Sequence, residues 1–255
     1  MSEKRRLDVL LVERGLAASR AQAQALVMAG RVPGHAKPGE QVRDDIPLEV
    51  TQPPPYVSRA GHKLAHALDA FGIDVAGLDC LDLGASTGGF TDVLLQRGAA
   101  RVTAIDVGHG QLHSKIRDDA RVTVFERLNA RDLAGLPYPP QLVTCDVSFI
   151  SARLALPPAL ALAAPGWQAL VLVKPQFEAG RAEAPKGVVR DPEVQRRVVR
   201  EVAEALVAHG AEPRGVVDSG LPGPKGNREF VLHLADADAA AIPPEFDRWV
   251  ADAVG

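Results

Sequence analysis

The sequence predicts an α/β protein: a mostly parallel sheet with helices on both faces, preceded by a small α+β domain. Three observations carry that prediction. From about residue 58 onward, short apolar strand-like runs alternate with helix-like runs. Within that region "CLDLGASTGGFTDVLL", residues 80–95, reads as a strand entering a glycine-rich turn that a helix leaves. Ahead of it, Pro53, Pro54 and Pro55 form a stiff, extended stretch that separates a segment of different character. The expected division is residues 1–52, a linker at 53–57, and a main domain at 58–255.

The first segment, "RLDVLLVERGLAASRAQAQALVMAGRV", carries two short helical patterns. Leu7, Leu10 and Leu11 recur at helical spacing, and Gly15 stands where a left-handed residue ends a helix. Ser19 is placed to cap the second helix, which should end at Gly30. "KPGEQV" and "IPLEV" then read as a turn followed by a strand. In the main domain the strand-like runs are residues 81–83, 102–105, 122–125, 142–145, 170–173, 215–217 and 230–234; residues 111–117 and 192–209 are helix-like.

Composition excludes several classes. The 255 residues are 46% apolar, ample for a core, and the net charge of −3 leaves nucleic-acid binding to be decided by local patches. Cys80 and Cys145 sit in apolar strand-like runs, so they read as packing residues of a reducing compartment, the cytoplasm, and not as a disulfide. No CxxC or HExxH pattern is present, so no metal is expected. The start, "MSEKRRLDVLLVERGL", has charges inside its apolar stretch and does not read as a signal peptide. Residues 154–173 carry no charge over a membrane-spanning length, but Pro157, Pro158, Pro165 and Gly166 cut them into helix, turn and strand, so no membrane association is expected.

In parallel sheets ligands bind at the carboxyl ends of strands, and here those ends are polar. The first closes at Asp82 and the Gly84, Gly88, Gly89 loop; the second at Asp106; Asp132 follows the third; the fourth closes at Asp146 and the fifth at Lys174. Asp106 stands 24 positions after Asp82 (106 − 82), near the distance at which such folds place an acid on ribose hydroxyls. The glycine spacing is G-x-x-x-G-G, whereas a dinucleotide needs a second glycine two positions after the first for its pyrophosphate. Acids at Asp82, Asp106, Asp132 and Asp146 suit a cationic cofactor, S-adenosylmethionine, better than an anionic one. A lone Asp past a strand is more often a cap or simply solvated; four in succession are harder to dismiss. Lys174, closing the apolar run "ALVLV", is either a snorkelling side chain or a functional cation.

These motifs resemble a known family. "DLGASTGGF" is similar to the cofactor loop of the FtsJ (RrmJ) class of RNA ribose 2′-O-methyltransferases, with Thr87 and Phe90 in place of its Pro and Trp. The class carries a Lys-Asp-Lys-Glu tetrad, for which the candidates are Lys63 in "SRAGHKL", Asp146 in "CDVSF", Lys174 in "VKPQFE" and Glu229 in "NREF". Together with "RLDVLLVERGLAASR" and "KPG", the ordered motifs resemble the TlyA family of hemolysin-like ribosomal RNA methyltransferases, which join an S4-type RNA-binding domain to this methyltransferase. The resemblance implies a Rossmann-like S-adenosylmethionine-dependent methyltransferase fold and 2′-O-methylation of ribosomal RNA, at cytidine, on free RNA or ribosomal subunits. It implies cofactor contacts from Asp82, Gly84, Ser86, Gly88, Gly89, Phe90, Asp106, Asp132 and Asp146, and RNA contacts from Arg5, Arg6, Arg20, Arg31 and Lys37. One departure stands out: only "PGHA" separates Val32 from Lys37, which shortens the expected S4 hairpin.

A ribose hydroxyl is a poor nucleophile, so its proton must leave as it attacks. Lys174 is the expected base, oriented by Asp146, with Glu229 placing Lys63 or the ribose. Two other readings stand beside this one: a membrane-acting cytolysin, as the family's hemolysin label suggests, and a non-catalytic RNA-binding ribosome assembly factor.

Overall fold

The computed structural model describes residues 3–180 and 182–255. Its internal contacts divide the chain into Met1–Pro55 and Tyr56–Gly255. The first unit holds β1 (Lys4–Arg6), α1 (Leu7–Glu13), α2 (Arg20–Met28) and β2 (Gln41–Arg43), with β1 and β2 paired antiparallel. The side-chain hydroxyl of Ser19 accepts from the Gln22 amide at 3.2 Å, and Gly15 takes φ +69° just past α1. Leu7, Leu11, Ala23, Val27 and Val32 form a small core. The sequence reading missed β1, whose all-basic "KRR" has no apolar alternation, and it placed a strand in "IPLEV" that does not form. Leu48 and Val50 pack against the small core as irregular chain, and the Thr51 amide makes a backbone bond to the Arg31 carbonyl.

The second unit contains α3 (Ala60–Phe71), β3 (Asp79–Leu83), α4 (Gly89–Gln96), β4 (Arg101–Asp106), α5 (Ser114–Arg117), β5 (Val122–Glu126) and β6 (Leu142–Cys145). There follow α6 (Ala152–Ala155), α7 (Pro157–Leu160), β7 (Gln168–Val173), α8 (Pro175–Glu178), α9 (Pro192–Val207), β8 (Ala211–Asp218), β9 (Phe230–Asp236) and α10 (Phe246–Val254). The sheet order is β5-β4-β3-β6-β7-β9-β8; the first five strands run parallel and β9 runs antiparallel to both neighbours.

Strand side chains alternate between two cores, as a period of two requires. Leu81, Leu83, Val171 and Val173 face one core with Val198, Val202, Leu206 and Phe246, while Cys80, Leu170 and Leu172 face the other with Leu64, Leu68, Val93 and Leu94. Cys145 lies in the first core and Cys80 in the second, so the sheet separates these free thiols, and burial pushes each up to about 12. Residues 154–173 become the end of α6, α7, a turn and β7. Among the described residues no helix is long and apolar enough to cross a membrane.

Candidate active site

The chain runs outward from β3 through β4 to β5, then resumes on the other side with β6 and β7. That reversal opens a crevice at the carboxyl ends of β3 and β6, where open α/β sheets hold ligands. The loop after β3 is shaped by backbone contacts. Gly84 takes φ +81°, and a Cβ there would stand 2.7 Å from the Asp146 carbonyl oxygen, so only glycine lets this turn touch the end of β6. A Cβ on Gly89 would collide with the Ser58 hydroxyl and stand 3.2 Å from the Ala60 Cβ, so this glycine sets the start of α4 beside the start of α3. Ser86 is a non-glycine residue at φ +48°, and its amide donates to Asp106 Oδ2 at 2.7 Å. The Gly108 amide donates to Asp106 Oδ1 at 2.6 Å. The Asp106 carboxylate is thus aimed by two backbone amides, with lone pairs left for further donors.

A cavity of about 460 Å³ opens over this loop, lined by Gly84, Ser86, Asp106, Gln111, Asn129 and Asp146 among others. Two carboxylates and no lysine or arginine face it. That charge pattern attracts a sulfonium and repels a pyrophosphate. Asp106 lies where vicinal ribose hydroxyls can be met, and the donor set therefore fits S-adenosylmethionine. Gly89 and Phe90 line a smaller hollow of about 140 Å³, which also touches Gly84, Ser86, Asp146 and Lys174.

Three predicted cofactor residues line none of these cavities. Asp82 is fully buried beneath the loop, on the strand face opposite Leu81 and Leu83. Its oxygens accept from the hydroxyls of Thr91 at 2.6 Å and Thr144 at 3.0 Å, so it ties β3 to α4 and β6. Burial pushes its carboxyl up to about 6 against those hydrogen bonds. Gly88, at φ +92°, packs against Leu112 and Ile116. Asp132 is exposed and lies 3.6 Å from Arg131. Asn129 faces the cavity in its place, its side-chain oxygen accepting from the Arg131 amide at 3.2 Å. Asn129 is neutral and stands three residues before Asp132, so the charged residue drew the sequence reading instead.

The four tetrad candidates meet in one place. Asp146 follows β6, Lys174 follows β7, and Glu229 precedes β9. Because β9 runs antiparallel to β7, with Phe230 opposite Val173, its start lies at the same sheet end as the finish of β7. Lys63 comes from the first turns of α3. Lys63 pairs with Glu229, and Lys174 Nζ stands 2.6 Å from Asp146 Oδ1. The second contact is an ion pair without hydrogen-bond alignment; Lys174 directs a hydrogen bond to Ser148 Oγ at 2.8 Å. Lys63, Lys174 and Glu229 are 7%, 9% and 1% exposed, so each charge is desolvated and needs its partner. Burial raises the Asp146 carboxyl above its ordinary value, opposed by the cations of Lys174 and Lys63.

Asp146, Ser148, Lys174 and Lys63 also face a second cavity of about 710 Å³, with Phe149, Gln176, Phe177 and Asn227. Asp146, Ser148 and Phe149 line both this cavity and the one over the glycine loop. Gln176 Nε2 donates to Glu229 Oε1 at 3.0 Å. Phe149 is 91% exposed, with its ring centroid 5.0 Å from that of Phe177. Sequence reasoning missed Ser148, Gln176 and these aromatics, although each lies within three residues of a tetrad member.

In the first unit the five basic candidates are partly engaged by acids. Arg6 and Arg20 both reach Asp8 Oδ2 at 3.0 Å, and Gln24 adds a bond at 2.8 Å. The Arg6 hydrogen bond leads in holding the buried Asp8 carboxyl well below the usual range. Arg5 meets Glu13 at 2.8 Å, Arg31 donates to the Thr51 carbonyl at 3.2 Å, and Lys37 is exposed. The side chain of Arg20 nevertheless stays 54% exposed and that of Arg6 42%, so both still reach solvent.

The FtsJ-like methyltransferase family matches residues 56–235, and the S4 domain matches residues 5–32. The chain is 48% identical over 244 residues to the 16S/23S rRNA (cytidine-2′-O)-methyltransferase TlyA of Mycobacterium tuberculosis, covering 92% of this chain and 91% of that protein. It is 38% identical to Hemolysin A of Brachyspira hyodysenteriae, covering 90% and 99%. A solved Streptococcus thermophilus structure described as a hemolysin superposes with a TM-score of 0.75 at 40% identity, covering 99% of this chain and 96% of that one.

Proposed function

The chain belongs to the FtsJ-like methyltransferase family and carries an S4 domain ahead of it, and from that premise we propose that it methylates the ribose 2′-hydroxyl of a cytidine in ribosomal RNA, in the cytoplasm. One observation carries the proposal: a desolvated Lys174–Asp146 pair stands where the cavity that fits S-adenosylmethionine meets a second cavity open to an acceptor.

S-adenosylmethionine supplies the methyl group; the chain's own residues prepare the acceptor. Lys174 Nζ takes the 2′-hydroxyl proton as the oxygen attacks. Ser148 and Asp146 fix that nitrogen between them. Burial raises the Asp146 carboxyl against the pull of the Lys174 cation, and base action requires Nζ to give up its own proton before the acceptor hydroxyl attacks. Glu229, held by Gln176, fixes Lys63 beside the acceptor. Phe149 and Phe177 offer the aromatic faces on which an unstacked nucleobase rests. Cofactor contacts fall to Gly84, Ser86, Gly89, Phe90, Asp106 and Asp146, with Asp82 and Gly88 shaping the loop from beneath.

Incubation with purified small and large ribosomal subunits and labelled S-adenosylmethionine, followed by mapping of the modified nucleotide, tests the proposal. Label on a base, or on no RNA, contradicts it. The cofactor site is tested by calorimetry: S-adenosylmethionine binds, NAD does not, and Asp106→Ala weakens binding by about 1–3 kcal/mol because ribose hydroxyls lose a charged acceptor. Equal affinity of Asp106→Ala and wild type removes Asp106 from the site.

In this reading residues 1–52 grip RNA through Arg5, Arg6, Arg20, Arg31 and Lys37, 53–57 are a tether, and 58–255 perform the chemistry. Deleting residues 1–52 should leave cofactor affinity unchanged and reduce methylation of subunits. Full activity of the truncated chain on subunits counts against an RNA-gripping first domain.

A further inference from the structure

Two turns of identical sequence meet at the rim of the acceptor cavity. Residues 185–187 and 224–226 both read Pro-Lys-Gly, and each forms a single tight turn. Lys186 takes φ 56°, ψ 20°, and Lys225 takes φ 61°, ψ 14°. Both are left-handed, where glycine is at ease and a Cβ is crowded. The glycines that follow are left-handed as well, at φ +76° and +79°. A lysine kept twice in a conformation that glycine would adopt more easily points to a use for the side chain.

The turns are fastened to one another. Lys225 Nζ donates to the Lys186 carbonyl at 3.3 Å. Asn227, 2% exposed, donates from Nδ2 to the Gly187 carbonyl at 2.9 Å and accepts at Oδ1 from the Val189 amide at 3.0 Å. Gly187, Lys225 and Asn227 line the acceptor cavity together with Lys63 and Lys174. Lys63 and Lys174 have carboxylate partners, whereas among the described residues no carboxylate lies within 4.0 Å of the Lys186 or Lys225 ammonium. Both of these lysines are exposed. Lys225 on the cavity lining, and Lys186 on the turn fastened to it, offer positive charge that no carboxylate cancels, and such charge attracts an anion.

We infer that the paired turns are a phosphate grip, which holds a backbone phosphodiester of the acceptor strand next to the ribose being methylated. The inference rests on RNA as the acceptor. Ammonium groups contact phosphate as point charges and do not read bases, so the grip positions the strand without specifying its sequence.

The left-handed turns supply the test, because glycine removes the charge while easing the backbone. The variants are Lys186→Gly/Lys225→Gly and Lys186→Arg/Lys225→Arg, each in the full chain. Affinity for purified large and small ribosomal subunits is measured across a salt series with S-adenosylhomocysteine present, alongside thermal midpoint, cofactor affinity and single-turnover methyl transfer. The double glycine variant should keep or raise the thermal midpoint and keep cofactor affinity. Its affinity for the subunit that wild type binds should fall about tenfold or more, and the slope of log K against log salt should flatten by about 0.7–0.9, the release expected for one neutralised phosphate. The double arginine variant should restore most of the affinity. An unchanged affinity and slope in the glycine variant overturns the grip, as does an arginine variant as weak as the glycine one. Wild type that binds subunits but transfers no methyl overturns the proposed reaction and leaves the grip to be judged on binding alone; wild type that binds neither subunit overturns both.

Discussion

Lys174→Ala should lower single-turnover methyl transfer by about a hundred- to ten-thousand-fold, the usual worth of a general base, with little change in cofactor affinity. The decisive variant is Lys174→Arg. Nζ stands 2.6 Å from Asp146 Oδ1 and 2.8 Å from Ser148 Oγ, so a guanidinium placed there meets a carboxylate and a hydroxyl that can both accept from it. If Lys174 served only as a positive charge, arginine would replace it well. If it takes the hydroxyl proton, arginine fails, because a guanidinium stays protonated. A Lys174→Arg enzyme that retains more than about a tenth of the wild-type rate, a loss of less than about 1.4 kcal/mol, rules out the base assignment. Proton removal would then fall to Asp146 or to water. Asp146→Asn supplies the cross-check: it keeps a polar group beside Lys174 but removes the carboxylate that pairs with it.

Most of the main sheet was legible because parallel strands buried on both faces read as short, nearly pure apolar runs. All seven runs anticipated in the main domain lie within β3 to β9. The antiparallel direction of β9 was not legible, since neither composition nor period encodes strand direction. That direction is what brings Glu229 to Lys63. Asp146, Lys174 and Glu229 were readable because they close or open apolar runs, where a charge is conspicuous; Lys63, inside α3, came only from the family resemblance. Ser148 and Gln176 are neutral and left no such mark. Asp82 was harder to place: at a strand end a carboxylate looks exposed, but here it is buried, held by the hydroxyls of Thr91 in α4 and Thr144 in β6. In the first unit the basic run "KRR", whose arginines the resemblance assigned to RNA, concealed a strand. Asp8 lies between Arg6 and Arg20 in space, although only the first of these is its neighbour in sequence.

The Lys63–Glu229 pair yields the largest effect expected on stability. Lys63 enters from α3 and Glu229 from the chain just before β9, and the two carboxylate oxygens are shared between the Lys63 ammonium and the Gln176 amide. The carboxylate is also pressed against the backbone of Gly223, where an added Cβ would collide with it. Glu229 is 1% exposed, so water cannot readily replace the ammonium. Lys63→Met should therefore lower unfolding free energy by about 3–5 kcal/mol, as removing one member of a buried pair does, with the slope against urea unchanged. The opposing consideration is the acceptor cavity, which both residues line and through which water could rehydrate the carboxylate. The double variant Lys63→Met/Glu229→Gln separates the two effects: a neutral amide can still accept from Gln176 and has no charge to desolvate, so most of the lost stability should return. Methyl transfer should not return with it, because the ammonium that faces the acceptor is gone. Lys63→Met within about 1 kcal/mol of wild type would show that solvent reaches Glu229, and the pair would then serve the acceptor and not the fold. A double variant as unstable as Lys63→Met would place the damage in the packing of α3 and not in an unpaired charge.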